Sequence, residues 1–281
     1  MASAFPTPFA LAIFLGILYH IPTFSNQRSI MNNLELEQLI NQKLSSDKIN
    51  DYAPNGLQVE GKTEIKKIIT GVTASQALID YAINQNADAI LVHHGYFWKS
   101  ENSCIRGMKG KRIKALLVDD INLYGYHLPL DVHPELGNNA QLAKLLDIEN
   151  LQPLEKGAVS IPVWGELKEP MTGKDFAEKI EKVLNRKPLI CIENGPHLIR
   201  KIGICTGGGQ GYIDLAAEQG CDAFMTGEVT EQTIHSAREQ GLYFFSAGHH
   251  ATERYGIKAL GEWLAKEYGF DVEFKDIDNP A

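Results

Sequence analysis

Two stretches of the chain, residues 66–95 and 200–229, carry the same order of apolar and polar positions. Each starts with an apolar run, passes through small residues, continues at helical spacing and ends in a second apolar run. Aligned at an offset of 134, they share nine identical positions, where ordinary composition gives about two by chance. The identical pairs are Lys67/Lys201, Ile68/Ile202, Gln76/Gln210, Ile79/Ile213, Asp80/Asp214, Ala82/Ala216, Gln85/Gln219, Asp88/Asp222 and Ala89/Ala223.

Each copy predicts a strand, a helix and a second strand, which is a βαβ unit. A further short apolar run follows each unit, at residues 121–126 and 242–245. Between the copies, residues 163–167 and 189–192 predict strands, and Thr172 with Asp175 predicts the start of a helix. Because βαβ units build parallel sheets, the pattern predicts an α/β fold with two related lobes, each a mostly parallel sheet with flanking helices.

Residues 1–30 differ from the rest of the chain. Residues 9–18 form an apolar run that is short for a membrane span and has no Lys or Arg before it. We interpret the segment as an extra N-terminal extension outside the fold, with Met31 as the true first residue. The alternative is an uncleaved signal or anchor segment.

Composition narrows the class of protein. A length of 281 residues fits one large or two ordinary domains, and the hydrophobic content of 44% is that of a soluble globular protein. The net charge of −8 disfavours a nucleic-acid partner, which usually needs a basic surface. The four cysteines show no CxxC spacing, so we expect reduced, mostly buried thiols, a cytoplasmic location and no membrane partner.

Histidines and carboxylates predict a metal centre. One pair of histidines ends the second apolar run of the first copy, and a histidine is twice followed four positions later by a carboxylate. These side chains are ligands for Zn, Fe, Mn or Ni, and together they indicate a site for two divalent metal ions. The predicted ligands are His93, His94, His127, Asp131, His249 and Glu253. His127 is either a ligand or a residue that contacts one.

Three further features have two interpretations each. Glu228 is predicted as a catalytic general base, or as a carboxylate that orients a ligand histidine. Gly207, Gly208 and Gly209 either bind an anionic substrate group through backbone amides or form a tight turn between strand and helix. The aromatic residues 96–98 either stack on a base or pack in the core, and core packing is favoured.

The chain resembles the Nif-three-like dinuclear-metal proteins, often called GTP cyclohydrolase type-two homologues. The resemblance covers residues 31–281 and matches the short bacterial branch of that family. It is carried by the strings DYAPNGLQVEG, LVHHGYFW, HLPLDVHPELGNNAQLA, TGEVTEQTIHSA and GHHATERYG. It implies two metal ions at the residues named above, and a toroidal homohexamer. It also implies that the C-terminal segment returns to the first lobe, which gives lobes at 31–130 plus 245–281 and at 131–244.

The ligand set and the resemblance favour an enzyme, a metal-dependent hydrolase that acts on a nucleotide. In a GTP cyclohydrolase-like reaction, a metal-activated water attacks the purine ring. The alternatives are a nucleotide phosphoesterase or damaged-nucleotide hydrolase, and a metal-binding ring without activity that docks protein or DNA. Metal storage or delivery is a further alternative.

Overall fold

A computed structural model describes residues 30–281 of the chain, and the predicted extra segment lies outside them except for Ile30. The first part of the described chain contains β1 (Met31–Asn32), α1 (Asn33–Leu44), β2 (Gly56–Val59), β3 (Glu64–Ile65), β4 (Lys67–Thr73), α2 (Gln76–Asn84), β5 (Ala89–His94), α3 (Gly107–Val118), β6 (Asn122–Gly125) and α4 (Leu128–Asp131). The second part contains α5 (Asn138–Leu145), β7 (Ile148–Pro153), β8 (Val163–Met171), α6 (Gly173–Leu184), β9 (Leu189–Cys191), β10 (Ile199–Cys205), α7 (Ile213–Glu218), β11 (Ala223–Thr226), α8 (Glu231–Gln240), β12 (Tyr243–Ser246), α9 (His249–Tyr268) and β13 (Asp271–Phe274).

Two large sheets organise most of these elements, which confirms the predicted two-lobed α/β class, and β1 pairs with β3 in a separate two-stranded antiparallel sheet. The first sheet has the order β13-β4-β5-β6-β2, and only its last pairing, β6 with β2, is antiparallel. The second has the order β7-β8-β10-β11-β12-β9. Its three central strands are parallel, but β7, β8 and β9 add antiparallel pairings. The prediction of a mostly parallel sheet is therefore wrong for the second lobe, because strands outside the repeat extend both of its edges.

Each sheet is covered by helices on both faces, because alternate residues of its strands point to opposite sides. In β5, Ala89 and Leu91 pack with α1 and α9, whereas Ile90 and Val92 pack with α2 and α3. In the second sheet, one face packs against α5 and α6 and the other against α7 and α8. These runs are apolar on both faces, as expected of buried parallel strands.

The internal repeat is also a structural repeat. Oδ2 of Asp88 accepts hydrogen bonds of 2.8 Å from the backbone amides of Lys66 and Lys67. Oδ2 of Asp222 accepts equivalent bonds of 2.8 and 2.9 Å from the amides of Arg200 and Lys201. The identical aspartates therefore fix the start of β4 and of β10 in the same way.

The last helix joins the two lobes. α9 follows β12 of the second sheet, but it packs on β4, β5 and β13 of the first sheet and on α5. The return of the C-terminal segment to the first sheet agrees with the implication of the resemblance, and the lobe boundaries at 130/131 and 244/245 stay predictions. No helix within residues 30–281 has the length and apolar character needed to cross a bilayer.

Candidate metal centre

The predicted ligands from both lobes meet at one point, around the carboxylate of Glu253. His93 and His94 end β5, and their ring centroids lie 4.5 Å apart. Nε2 of His93 lies 3.6 Å from Oε1 of Glu253, and Nε2 of His94 lies 3.2 Å from Oε2. Nε2 of His249, one turn earlier on α9, lies 3.1 Å from the same Oε2. The strand end and the first turn of α9 thus bring three histidines to one carboxylate.

Asp131 and His127 complete the cluster from the segment after β6. Oδ1 of Asp131 lies 3.5 Å from Nε2 of His93. The two prolines Pro129 and Pro134 predict an irregular loop here, because proline disfavours a regular helix. The structure instead has one turn of helix at Leu128–Asp131, α4. Pro129 fits because it lies at the N-terminal end of the turn, where its missing N–H removes no helical hydrogen bond. This turn places the His127 ring 5.1 Å from the His93 ring, between centroids.

Three groups of these residues are compact enough to hold a metal ion, with ligand atoms within 4.8 Å of one another. Glu253 belongs to two of the groups, as expected of a carboxylate that bridges two ions. The groups are His93, His94 and His127; His94, His249 and Glu253; and His93, Asp131 and Glu253.

All four histidines have their Nδ1 atom engaged away from the centre. The partners are the Tyr126 carbonyl oxygen for His93 at 3.0 Å, Thr73 Oγ1 for His94 at 3.3 Å, Asp51 Oδ1 for His127 at 3.0 Å, and Glu228 Oε1 for His249 at 2.7 Å. A proton on Nδ1 satisfies these contacts and leaves the Nε2 lone pair free, which is the tautomer that binds a metal.

The arrangement fits a bound cation. Oε2 of Glu253 is buried and has no hydrogen-bond partner within residues 30–281. With Nδ1 protonated, the Nε2 lone pairs of His94 and His249 face this oxygen. Three acceptors that face one another in a buried site need a positive charge between them.

The electric field at the centre also favours positive charge. Burial lowers the pKa of His93, but the carboxylates of Asp131 and Glu253 outweigh it and raise this pKa to about 9. The pKa of Glu253 lies well below its ordinary range, because His93 and His94 outweigh the opposing effect of burial. Burial and the neighbouring His93 lower the pKa of His94 to about 3.

Asp51 is a functional candidate that sequence reasoning missed. Its side chain is 3% exposed, and it accepts hydrogen bonds from His127 Nδ1 and from the backbone amide of Leu128. Burial raises its pKa, but the bonds from His127 and Asn55 outweigh this and lower it to about 2. Its local pattern is that of an ordinary turn residue, so only the fold connects it to His127.

Asn138 was also missed. It is fully buried, and its Nδ2 donates to Oδ1 of Asp131 at 2.7 Å and lies 3.3 Å from Nε2 of His93. Its Oδ1 accepts a hydrogen bond from the backbone amide of Gly256. Asn138 therefore connects the two lobes through α5, and it fixes Asp131 relative to α9.

Glu228 contacts His249 and not the centre of the cluster. Besides the 2.7 Å contact with His249 Nδ1, its Oε2 accepts a hydrogen bond from Nε2 of Gln210 at 3.3 Å. This geometry favours the interpretation of Glu228 as the carboxylate that orients a ligand histidine. Its assignment as a catalytic general base stays a prediction.

The glycines 207–209 form a tight turn beside Glu253. The amide of Gly207 donates to Oγ1 of Thr252, and the amide of Gly209 donates to Oγ1 of Thr226. Gly207 has φ +64°, and a Cβ there would collide with the Glu253 carboxylate. Two of the three amides are thus bound within the protein, which favours the tight-turn interpretation. Gly208 and Gly209 line the cavity, and their binding of substrate stays a prediction.

A cavity of about 580 Å³ opens over the centre and is lined from both lobes. Of the aromatic residues 96–98, Tyr96 is buried and donates to the Ala74 carbonyl, which agrees with core packing. Trp98 instead lines the cavity beside Tyr52, so core packing is wrong for this residue. Tyr212 lines the cavity from the second lobe.

Comparison with known proteins agrees with this architecture. The family model for Duf34/NIF3 (NGG1p interacting factor 3) matches residues 31–280. A protein of Haemophilus influenzae described as "GTP cyclohydrolase 1 type 2 homolog" is 97% identical over 251 residues, which are 89% of this chain and 100% of that protein.

Two solved structures share the fold. One, described as protein ybgI of unknown function, has a TM-score of 0.87 and 62% identity, and the match covers 89% of this chain and 100% of that one. The other, TTHA1606 from Thermus thermophilus, has a TM-score of 0.81 and 31% identity, with the same coverage. Because the family model matches nearly all of the described residues and such similar relatives are covered in full, the chain belongs to the DUF34/NIF3 family.

Proposed function

We propose that the chain is a dinuclear metal-dependent hydrolase that acts on a nucleotide by opening its purine ring. The observation that carries the proposal is the convergence of four histidines and two carboxylates at the base of a cavity, with Glu253 shared by two candidate ligand groups. The description of the 97% identical relative as a GTP cyclohydrolase 1 type 2 homologue supports a purine nucleotide as the substrate class.

The residues divide between two ions. His93 and Asp131 with Glu253 would hold one, and His94 and His249 with Glu253 would hold the other. When bound, divalent cations supply Lewis acidity and a nucleophilic water at neutral pH.

The chain's own residues position these groups and restrict access to them. Asp131 and Glu253 are 7% and 4% exposed, and both line the cavity. Glu228 fixes the ring of His249, and Asp51 fixes the ring of His127. In the proposed reaction, water adds to C8 and opens the imidazole ring, and a second hydrolysis releases formate. His127 lines the cavity, and its Nε2 would either bind an ion or accept a proton.

The test is a product analysis of the full chain loaded separately with Zn, Mn and Fe(II). Each form is incubated with a panel of nucleotides that includes GTP, and the products are identified by mass spectrometry. A Glu253→Ala variant serves as the control. Because Glu253 belongs to two ligand groups, this variant should keep its fold but lose bound metal, to about a tenth or less, and turnover.

The products separate the possible functions. Formate with a ring-opened purine, absent from the Glu253→Ala control, would establish the proposed reaction. Phosphate or nucleoside release would replace it with a phosphoesterase. Absence of product with every metal would contradict the hydrolase and favour a metal-binding or docking role. Full metal content and turnover in both Glu253→Ala and His94→Ala would contradict the assignment of the centre.

A toroidal homohexamer is part of the same proposal, on the basis of the family resemblance. The measurement is the molar mass in solution by light scattering coupled to size-exclusion chromatography. A mass of six chains supports the ring, and a monomer contradicts it.

A further inference from the structure

Two aromatic side chains from separate loops form one wall of the cavity next to the metal centre. The ring centroids of Tyr52 and Trp98 lie 5.7 Å apart with an interplanar angle of 37°. Tyr52 is 53% exposed, although large apolar groups are usually buried where the fold permits. Because Tyr52 contacts Trp98 and remains exposed, the two rings leave a flat apolar surface available to a ligand in the cavity.

Hydrogen bonds fix the two loops that carry Tyr52 and Trp98. The backbone amide of Lys99, next to Trp98, donates to the carbonyl of Tyr52 at 2.8 Å. The indole N–H of Trp98 donates to the carbonyl of Gly95 at 3.1 Å. The Tyr52 amide donates to Oδ1 of Asp51 at 2.7 Å, so the carboxylate that orients His127 also anchors the tyrosine. The wall is therefore fixed to the metal centre before any ligand binds.

The backbone next to Trp98 is strained. Phe97 has φ +65°, a conformation that bulky residues rarely adopt because Cβ crowds the backbone. The conformation is maintained by a 2.7 Å bond from its amide to Oε2 of Glu101, and Lys109 Nζ lies 4.7 Å from its ring centroid. Such strain persists where the surrounding structure fixes it, often at a functional site. Here it lies at the turn from β5 to Trp98.

Both rings stand against predicted ligands. The His127 ring lies 5.1 Å from Tyr52 and 4.9 Å from Trp98, between centroids, and both contacts are edge-to-face. Trp98 also lies 5.9 Å from the His94 ring. Among the described residues, no lysine or arginine lines the cavity, so the protein places neither of these side chains there to bind a phosphate. The surface that the chain itself offers a substrate is therefore aromatic.

We propose that Tyr52 and Trp98 form a stacking platform that selects a flat heteroaromatic ring and holds it beside the metal centre. The proposal rests on the proposed hydrolase function and names what its site recognises, which is the ring of the substrate and not its phosphates. A purine or a similar fused heterocycle has the required flat π surface, and base–aromatic stacking tolerates either.

The test measures binding to the metal-loaded full chain by isothermal titration calorimetry. The probes are guanosine, which has the ring without phosphate, ribose 5-phosphate, which has phosphate without the ring, and GTP. Trp98→Leu and Tyr52→Leu should each weaken guanosine and GTP binding about tenfold, the size expected for one lost stacking contact. Ribose 5-phosphate binding and metal content should not change.

Trp263→Leu is the matched control, because Trp263 lies far along α9 and packs against Tyr268. It should bind all three probes as the unmodified chain does. Trp98→Phe keeps a flat ring and should recover most of the affinity, which separates stacking from misfolding. Unchanged guanosine affinity in both leucine variants would overturn the platform.

The platform and the hydrolase fail in different ways. Ring binding that depends on Trp98, without product from any metal form, would leave the platform and contradict the hydrolase. Formate release with an unchanged KM for GTP in Trp98→Leu would leave the hydrolase and contradict the platform.

Discussion

The two lobes share one βαβ scaffold, but different residue types stand at the ends of the equivalent strands β5 and β11. In both, an aspartate fixes the start of the first strand through two backbone amides. Where β5 ends in His93 and His94, the strand β11 is followed by Gly227 and Glu228. The first strand end thus supplies two predicted nitrogen ligands, whereas the second supplies a tight turn and a carboxylate that contacts His249.

The reason for this difference is steric. A Cβ at Gly227 would lie 2.6 Å from the Gly207 carbonyl oxygen and 2.7 Å from Cα of His249. No side chain fits there while α9 begins where it does, and the start of α9 is what brings His249 and Glu253 to the centre. The small residues at the strand ends of the second lobe leave room for the start of α9, which packs on the first sheet.

The largest effect that tests this comparison is expected at Gly207. Gly207→Ala would place a Cβ against the Glu253 carboxylate on a backbone with φ +64°. We expect a loss of about 3 kcal/mol in the free energy of unfolding, with loss of bound metal. The control is Gly208→Ala, whose Cβ would lie 3.6 Å from Oε2 of Glu228, an ordinary contact. Thermal unfolding and metal analysis of both variants measure these effects. Equal stability and equal metal content in Gly207→Ala and Gly208→Ala would contradict the steric explanation.

An intermediate effect is expected for two carboxylates, one from each lobe, that each orient a histidine. Asp51→Asn should weaken metal affinity about 10- to 100-fold, because Asp51 is buried and accepts from His127. Glu228→Gln should have a smaller effect, because the Glu228 side chain is 46% exposed and water can replace it. Competition with a fluorescent chelator measures both affinities. The reverse order would show that the second lobe controls the centre.

The smallest effect concerns the repeated aspartates. Asp88→Asn should lower the free energy of unfolding by about 1–2 kcal/mol, because two amide bonds to a charged acceptor weaken. Asp222→Asn should cost somewhat less, because Asp88 also pairs with Lys62 at 2.9 Å. Thermal unfolding of both variants beside the unmodified chain measures the difference. A larger loss from Asp222→Asn would contradict the comparison.

The Asp88 contribution should also depend on pH. Burial raises the pKa of Asp88, but its bonds to Lys67 and Lys62 outweigh this and lower it. A carboxylate with a lowered pKa stabilises the fold above its ordinary pKa, and the contribution is lost as the pH falls through the lowered value. The difference in melting temperature between the unmodified chain and Asp88→Asn should therefore be full at pH 7 and should shrink below about pH 4. A difference in melting temperature that stays constant with pH would contradict the contribution of the ionised Asp88 carboxylate to stability.

Much of the fold followed from local pattern. The repeat predicted both βαβ units, and Thr172 with Asp175 predicted the start of α6, where Oγ1 of Thr172 accepts a hydrogen bond from the Asp175 amide. The antiparallel edges of the second sheet did not follow, because the pairing of β7, β8 and β9 depends on neighbours far along the chain. The turn α4 was missed because a proline is compatible with the first turn of a helix, although not with its interior.

The sequence by itself determined which residues are candidates for holding a metal ion. Residue type and spacing predicted this set, since histidine and carboxylate at strand ends and helical spacing are typical of metal ligands. The set is His93, His94, His127, Asp131, His249 and Glu253. Only the tertiary structure decided which atoms meet. Asp51 reaches His127 and Asn138 links Asp131 to α9 because the two sheets and α9 pack together. Trp98 lines the cavity beside a residue from a distant loop, Tyr52. Spacing along a chain reports what a segment can form, whereas contacts between distant segments exist only once the hydrophobic cores have brought them together.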